Sequence, residues 1–165
     1  MDKTTISLNL ENLNDDERKL LMSLVEKGNK PKSKVWKPKL KDAVYILYSD
    51  GEILHYNYDN RLSINYELGN LFPTKEAAEE ELKRRKIIKR WKDLSIESGE
   101  EDNPWDGKCV HYYAYFDYSK GSIEITNAWV CRCKEAYFTS SKSIKEAITE
   151  IGKENVKKYI LNVKE

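Results

Sequence analysis

Apolar and polar residues alternate at the start of the chain, with Ile6, Leu8 and Leu10 separated by polar positions, the period of a short strand. The period then changes. Leu20, Leu21, Leu24 and Val25 fall on one face of a helix that Asn14 can cap, with Glu17 at the capping-box position and Gly28 as a stop. Residues 43–58 alternate again on either side of Asp50-Gly51, a dipeptide suited to a two-residue type I′ hairpin turn. That turn predicts Leu47 opposite Leu54, Tyr45 opposite Tyr56 and Ala43 opposite Tyr58 on one apolar face. Leu62, Ile64, Tyr66 and Leu68 alternate strictly and predict a third strand, closed by Gly69-Asn70.

Thr74 caps a predicted long helix that runs to about Leu94. Its first half is acidic and its second half basic, as the helix dipole favours, with i,i+4 pairs such as Glu79–Lys83 and Glu81–Arg85. The apolar stripe is not straight. Ala78 and Leu82 lie on one side and Ile87 and Trp91 on another, so the helix either bends or touches two partners. Residues 93–106 hold six acids and no base and predict a solvated loop. A second strand cluster follows, with Tyr112 to Tyr118, a turn at Lys120-Gly121, and Ile123 with Ile125 on the return. Trp129, Cys131 and Cys133 would share one face of a further strand. Ser140 or Ser141 caps a helix carrying Ile144, Ala147, Ile148 and Ile151, which Gly152 ends, and Tyr159, Ile160, Leu161 and Val163 suggest a closing strand.

The order, strands then helix twice over, predicts an α+β fold with antiparallel sheet and an N-terminal helix. Phe72-x-Thr74 before one helix echoes Phe138-x-Ser140 before the other. The 165 residues suit one domain. Its expected parts are an N-terminal strand and helix (1–29), a basic Pro/Lys connector (30–42), a first unit (43–94), an acidic loop (95–107) and a second unit (108–165).

Charged residues make up 35% of the chain but nearly cancel, with Lys+Arg 29 against Asp+Glu 28, so any electrostatic targeting must be local. Eleven Tyr and four Trp supply apolar surface to bury, which a disordered chain lacks. No apolar run approaches the ~20 residues of a membrane span, so no membrane partner is expected. The first ten residues lack a secretory h-region, and the three cysteines are an odd number, so a reducing cytoplasm is the expected compartment.

Candidate chemistry is sparse. Cys131-x-Cys133 has only Cys109, His55 and His111 to complete a zinc site, and in a strand the pair reads as small buried hydrophobes. Neither GxGxxG nor GxxxxGK occurs, and no Ser or Cys stands in a nucleophile context. No enzyme activity, metal or other cofactor is therefore expected. The strongest local charge feature is the basic helix end, with Lys83, Arg84, Arg85, Lys86, Lys89 and Arg90. It reads either as a phosphate-contacting surface for nucleic acid or as a solvated face balanced by its own glutamates, and the second is the commoner case. Partner-binding candidates are these six cations, Glu100, Glu101 and Asp102 of the acidic loop, and Trp36 and Trp105, each near a proline.

Several segments resemble a loose group of phage and prophage proteins of Gram-positive bacteria. They are Trp36-Lys37-Pro38-Lys39, Gly69-Asn70-x-Phe72-x-Thr74-x-Glu76-Ala77-Ala78-Glu79, and Ile151-Gly152-Lys153-Glu154-x-Val156-Lys157-Lys158-Tyr159. The group carries no assigned activity and lends no catalytic residues. The resemblance implies a small phage accessory protein in the bacterial host cytoplasm. The expected function is then binding and inhibiting or redirecting a host protein such as a CRISPR or other defence nuclease, in the manner of anti-CRISPR proteins. The alternative is a nucleic-acid-binding accessory protein using residues 83–92.

Overall fold

The computed structural model describes residues 14, 16–19, 35–130, 132, 134 and 136–164. The chain divides into two compact units, Met1–Lys37 and Pro38–Glu165, and the break falls inside the expected connector. In the first unit residues 16–19 are helical. Asn14 Oδ1 accepts from the Asp16 and Glu17 amides at 3.0 and 2.9 Å, and the Asn14 amide donates to Glu17 Oε2 at 2.9 Å, a complete capping box. The expected strand at 6–10 and the apolar positions 20–25 lie outside the described residues.

The second unit is α+β. Its first sheet has the order β2-β1-β3, formed by β1 (Ala43–Leu47), β2 (Ile53–Asn57) and β3 (Leu71–Phe72). The hairpin forms as expected but its register does not. The Tyr48 amide donates to Glu52 O, so three residues, not two, form the loop, and Gly51 takes φ +91°. A three-residue loop with its last residue left-handed shifts pairing by one position. Leu47 therefore faces Ile53, Ile46 faces Leu54 and Val44 faces Tyr56. Leu47 and Leu54 lie on opposite faces, and β1 buries Val44 and Ile46 on one face and Leu47 on the other, at 0%, 1% and 2% exposure.

Residues 62–68 are helical instead of extended. Asp59 accepts from the Arg61 amide at 2.8 Å and caps a 3-10 turn, Asn60–Leu62, that leads into α1 (Ser63–Glu67). Gly69, at φ +69°, ends α1 in a Schellman motif, its amide donating to Tyr66 O and that of Asn70 to Asn65 O. With Ile64 and Leu68 left exposed, Leu71–Phe72 takes the place beside β1.

Thr74 Oγ1 accepts from the Ala77 amide at 3.2 Å and caps α2 (Lys75–Glu97), 23 residues long. The helix touches two partners, as its split stripe allows. Ala78 is buried where α2 crosses the first sheet, and Trp91 belongs to the second core. The helix extends past Leu94 and takes up the start of the expected acidic loop, and Glu100–Asp102 add a 3-10 turn.

The second sheet pairs β4 (His111–Asp117) with β5 (Ser122–Ala128), and Phe138 bridges Tyr112 on the other edge of β4. β5 ends at Ala128, so Trp129 lies in a bend and not on a strand, while Cys131 and Cys133 lie outside the described residues. Ser140 Oγ accepts from the Ser143 amide at 3.0 Å and caps α3 (Ser141–Ile151). The closing strand is replaced by α4 (Lys153–Asn155), which runs on as a π-helical turn over Val156–Ile160. Lys157 pairs with Glu154 at 2.9 Å, and helical spacing is what delivers Val156 and Tyr159 together to the interior. Each half thus has the same plan: a hairpin, a short segment beside its first strand, then a Thr- or Ser-capped helix. The second core joins Trp91, Ala114, Phe138, Ile144, Ala147, Ile148 and Val156.

Two outcomes follow from this packing. Ile46→Ala should cost about 2–5 kcal/mol in urea unfolding, whereas the same change at half-exposed Tyr56 should cost well under half as much; equal costs would contradict the register. Arg90 holds the Glu150 carboxyl, and Lys158 with Tyr159 the Glu80 carboxyl, below the ordinary range. A lowered folded value means stability present above the unfolded value of ~4.3 and lost as pH falls through the folded one. Glu150→Gln should therefore flatten the acid limb of thermal stability below that pH and leave the neutral region's slope unchanged.

Candidate functional site

The basic stretch lies on the second half of α2, and most of its charge is spent on carboxylates of the same helix, with Arg85 and Arg90 also reaching other elements. Arg84 and Arg85 both reach Glu81, at 3.2 and 2.9 Å. Arg85 also donates to Asn70 Oδ1 and Gly69 O at 2.8 and 3.0 Å, bracing the turn after α1. Lys89 pairs with Asp93, and Arg90 joins Glu97 to Glu150 of α3, each at 2.6 Å. Lys83 lies over the Tyr159 ring, 5.6 Å from its centroid. Among the described residues Lys86 makes no ion pair, and it projects from an exposed position. A run so consumed is a clamp between elements more than a track for phosphates.

The acidic end is organised around His111, which is fully buried at the start of β4. Its Nδ1 lies 2.5 Å from Glu100 Oε1, and since a carboxylate only accepts, that contact places the hydrogen on Nδ1. Asn103 Nδ2 donates to Glu100 Oε2 at 3.3 Å and Val110 O at 3.1 Å, fixing the carboxylate from its other side. Trp105 stacks flat on the imidazole, centroids 3.6 Å apart and planes at 5°, and meets the edge of Tyr137. Trp105 is thus folded onto the unit, while Glu101 and Asp102 stay exposed. Trp36, in the other unit, is half-buried. His111 Nε2 is buried with no hydrogen-bond partner among the described residues.

Between α2 and the connector after β5 lies a cleft of about 540 Å³. Arg84 and Lys92 reach it from α2, and Arg132 and Lys134 from the connector. Its floor is apolar, with Ile88, the edge of Trp91, Ala114 and Ile160, and no described lining residue is acidic. A second cleft of about 510 Å³ adjoins it across Lys92, Arg132 and Ala136, and there Glu100, Glu101 and Trp105 form the wall. The structure therefore gathers four of the expected residues, Arg84, Glu100, Glu101 and Trp105, around adjoining clefts. Lys83, Arg85, Lys86, Lys89, Arg90 and Asp102 lie off them. Lys92 lay within the stretch 83–92 read for nucleic acid, whereas Arg132 and Lys134 were missed; their i,i+2 spacing in CRCK was the signal.

The hydroxyls nearby are engaged. Ser95 donates to Tyr137 O, and Tyr159 donates to Glu80 at 2.9 Å. What this surface offers is opposed charge over an apolar floor, which suits binding. Comparison with known protein families, with curated proteins and with solved structures returned no match for the chain.

Removing Glu100 strips a charge-assisted hydrogen bond from a buried ring, so Glu100→Ala should lower stability by about 2 kcal/mol. Thermal denaturation checks this, with Glu101→Ala as the exposed control expected to change little. Equal melting temperatures for the two variants would show that the His111 contact carries no weight.

Proposed function

We propose that this chain is a non-enzymatic accessory protein of phage type that inhibits or redirects a bacterial protein by occupying its surface. The observation that carries the reading is the cleft between α2 and the connector, where four cations converge over an apolar floor with no described carboxylate among them. Arg132 and Lys134 come from the connector, Lys134 lying 5.9 Å from the Tyr113 ring centroid, and Arg84 reaches the cleft while also pairing with Glu81. Trp129 and Val130, 47% and 80% exposed, lead into that connector and supply the aromatic and aliphatic area that interfaces favour. The resemblance to phage proteins supplies the context: a host cytoplasm, with a defence nuclease as the partner class. Binding of nucleic acid by residues 83–92 has less support, because Arg84, Arg85, Lys89 and Arg90 already hold carboxylates.

The chain is to be expressed in bacteria carrying active CRISPR or other phage defences, and phage plating measured. Wild-type protein should restore plating on at least one such strain, and Arg132→Glu with Lys134→Glu should abolish the effect. Unchanged protection across a broad panel would refute the reading. So would salt-dependent DNA or RNA binding that Arg84, Arg85 and Arg90 replacements remove.

A further inference from the structure

Resting on that reading, we infer that the segment the clefts take is an extended peptide of mixed polarity. One half is acidic with an aliphatic side chain, and the other half is basic. The two clefts share Lys92, Arg132 and Ala136, so they form one groove and not two separate sites. Its poles are opposite. One carries Arg84, itself paired with Glu81, and Lys134, with no acid among its described lining residues, and the other carries Glu100 and Glu101. A small organic anion would use only the basic pole. A nucleic-acid strand would meet Glu101 in its path, like charge that costs affinity. A peptide whose charge changes sign along its length satisfies both poles at once.

The poles are unequal in kind, which fixes what each half must bring. At the basic end Ile88, Ile160 and the rim of Trp91 leave apolar floor for an aliphatic side chain between carboxylates. At the acidic end Glu100 is already held by His111 and Asn103, so Glu101, exposed beside Ile96, is the group left to receive a lysine or arginine. Each pole contributes modestly when it faces solvent, and joining the halves makes the second contact intramolecular.

The test is fluorescence anisotropy of the full chain with a labelled peptide carrying an Asp/Glu–Leu half and a Lys half. Its acidic half alone and a charge-scrambled peptide of equal composition serve as comparisons. The whole peptide should bind about tenfold more tightly than either comparison. Arg132→Gln with Lys134→Gln, folding checked by circular dichroism, should weaken both the whole peptide and the acidic half. Glu101→Lys should weaken only the whole peptide, and Lys86→Glu, off the groove, should change neither. Equal binding of whole, scrambled and half peptides would overturn the two-pole groove but leave a basic docking cleft standing. Loss of all peptide binding in wild type, with anti-defence activity unaffected by the Arg132 and Lys134 variants, would overturn both. Competition by an oligonucleotide with a steep salt slope would assign the groove to nucleic acid instead.

Discussion

The second unit depends on one helix having to satisfy two cores. Over its 23 residues α2 turns by nearly six and a half turns at about 3.6 residues each, and its apolar side chains drift around the cylinder. Ala78 is buried against the first sheet and Trp91 enters the second core against Phe138, ring centroids 4.9 Å apart. A helix apolar on one straight stripe could serve only one of these. The drift lets one rigid rod hold both sheets, and it leaves the remaining faces to charge.

That constraint explains where the cations went. Positions between the two apolar patches face neighbouring loops and helices, so Arg85 braces the turn at Gly69 and Arg90 fastens α3. Arg84 and Lys92 face the gap between α2 and the connector, and there Arg132 and Lys134 meet them. The cleft is thus a by-product of bridging. The helix carries the connector's end through Ser95 and Ser98, whose partners are Tyr137 and Thr139. The proposed docking surface is thus space left by a structural solution.

Local chemistry made the helices readable and pairing geometry hid the strands. Thr74 and Ser140 announce their helices because a cap is a short-range interaction between a side chain and amides two or three residues on. Asp50-Gly51 marks a hairpin equally well, but two- and three-residue loops both accept it, and one extra loop residue inverts every side chain along the strand. Leu62 to Leu68 misled because an alternating run fits a strand or one ambiguous helical turn, and the Asp59 cap with the Gly69 stop decided between them. The repeat of Phe-x-Thr and Phe-x-Ser had structural content, since both phenylalanines sit beside the first strand of their hairpins. Charge was the least legible. The run at 83–90 stands out in sequence and its Glu81–Arg85 pair was legible from i,i+4 spacing, yet its partners Asn70 and Glu150 are chosen by tertiary structure, while Arg132 and Lys134 stood in a segment read for its cysteines.

The central claim is that partners are met at the cleft and not on the basic face of α2. Photo-crosslinking in living cells tests it most directly, with benzoylphenylalanine placed at Ile96, which is exposed on the groove wall, or at Lys86 on the outer face of α2. The account predicts a discrete adduct to one bacterial protein from position 96 and none from position 86. An adduct from position 86 alone would contradict it.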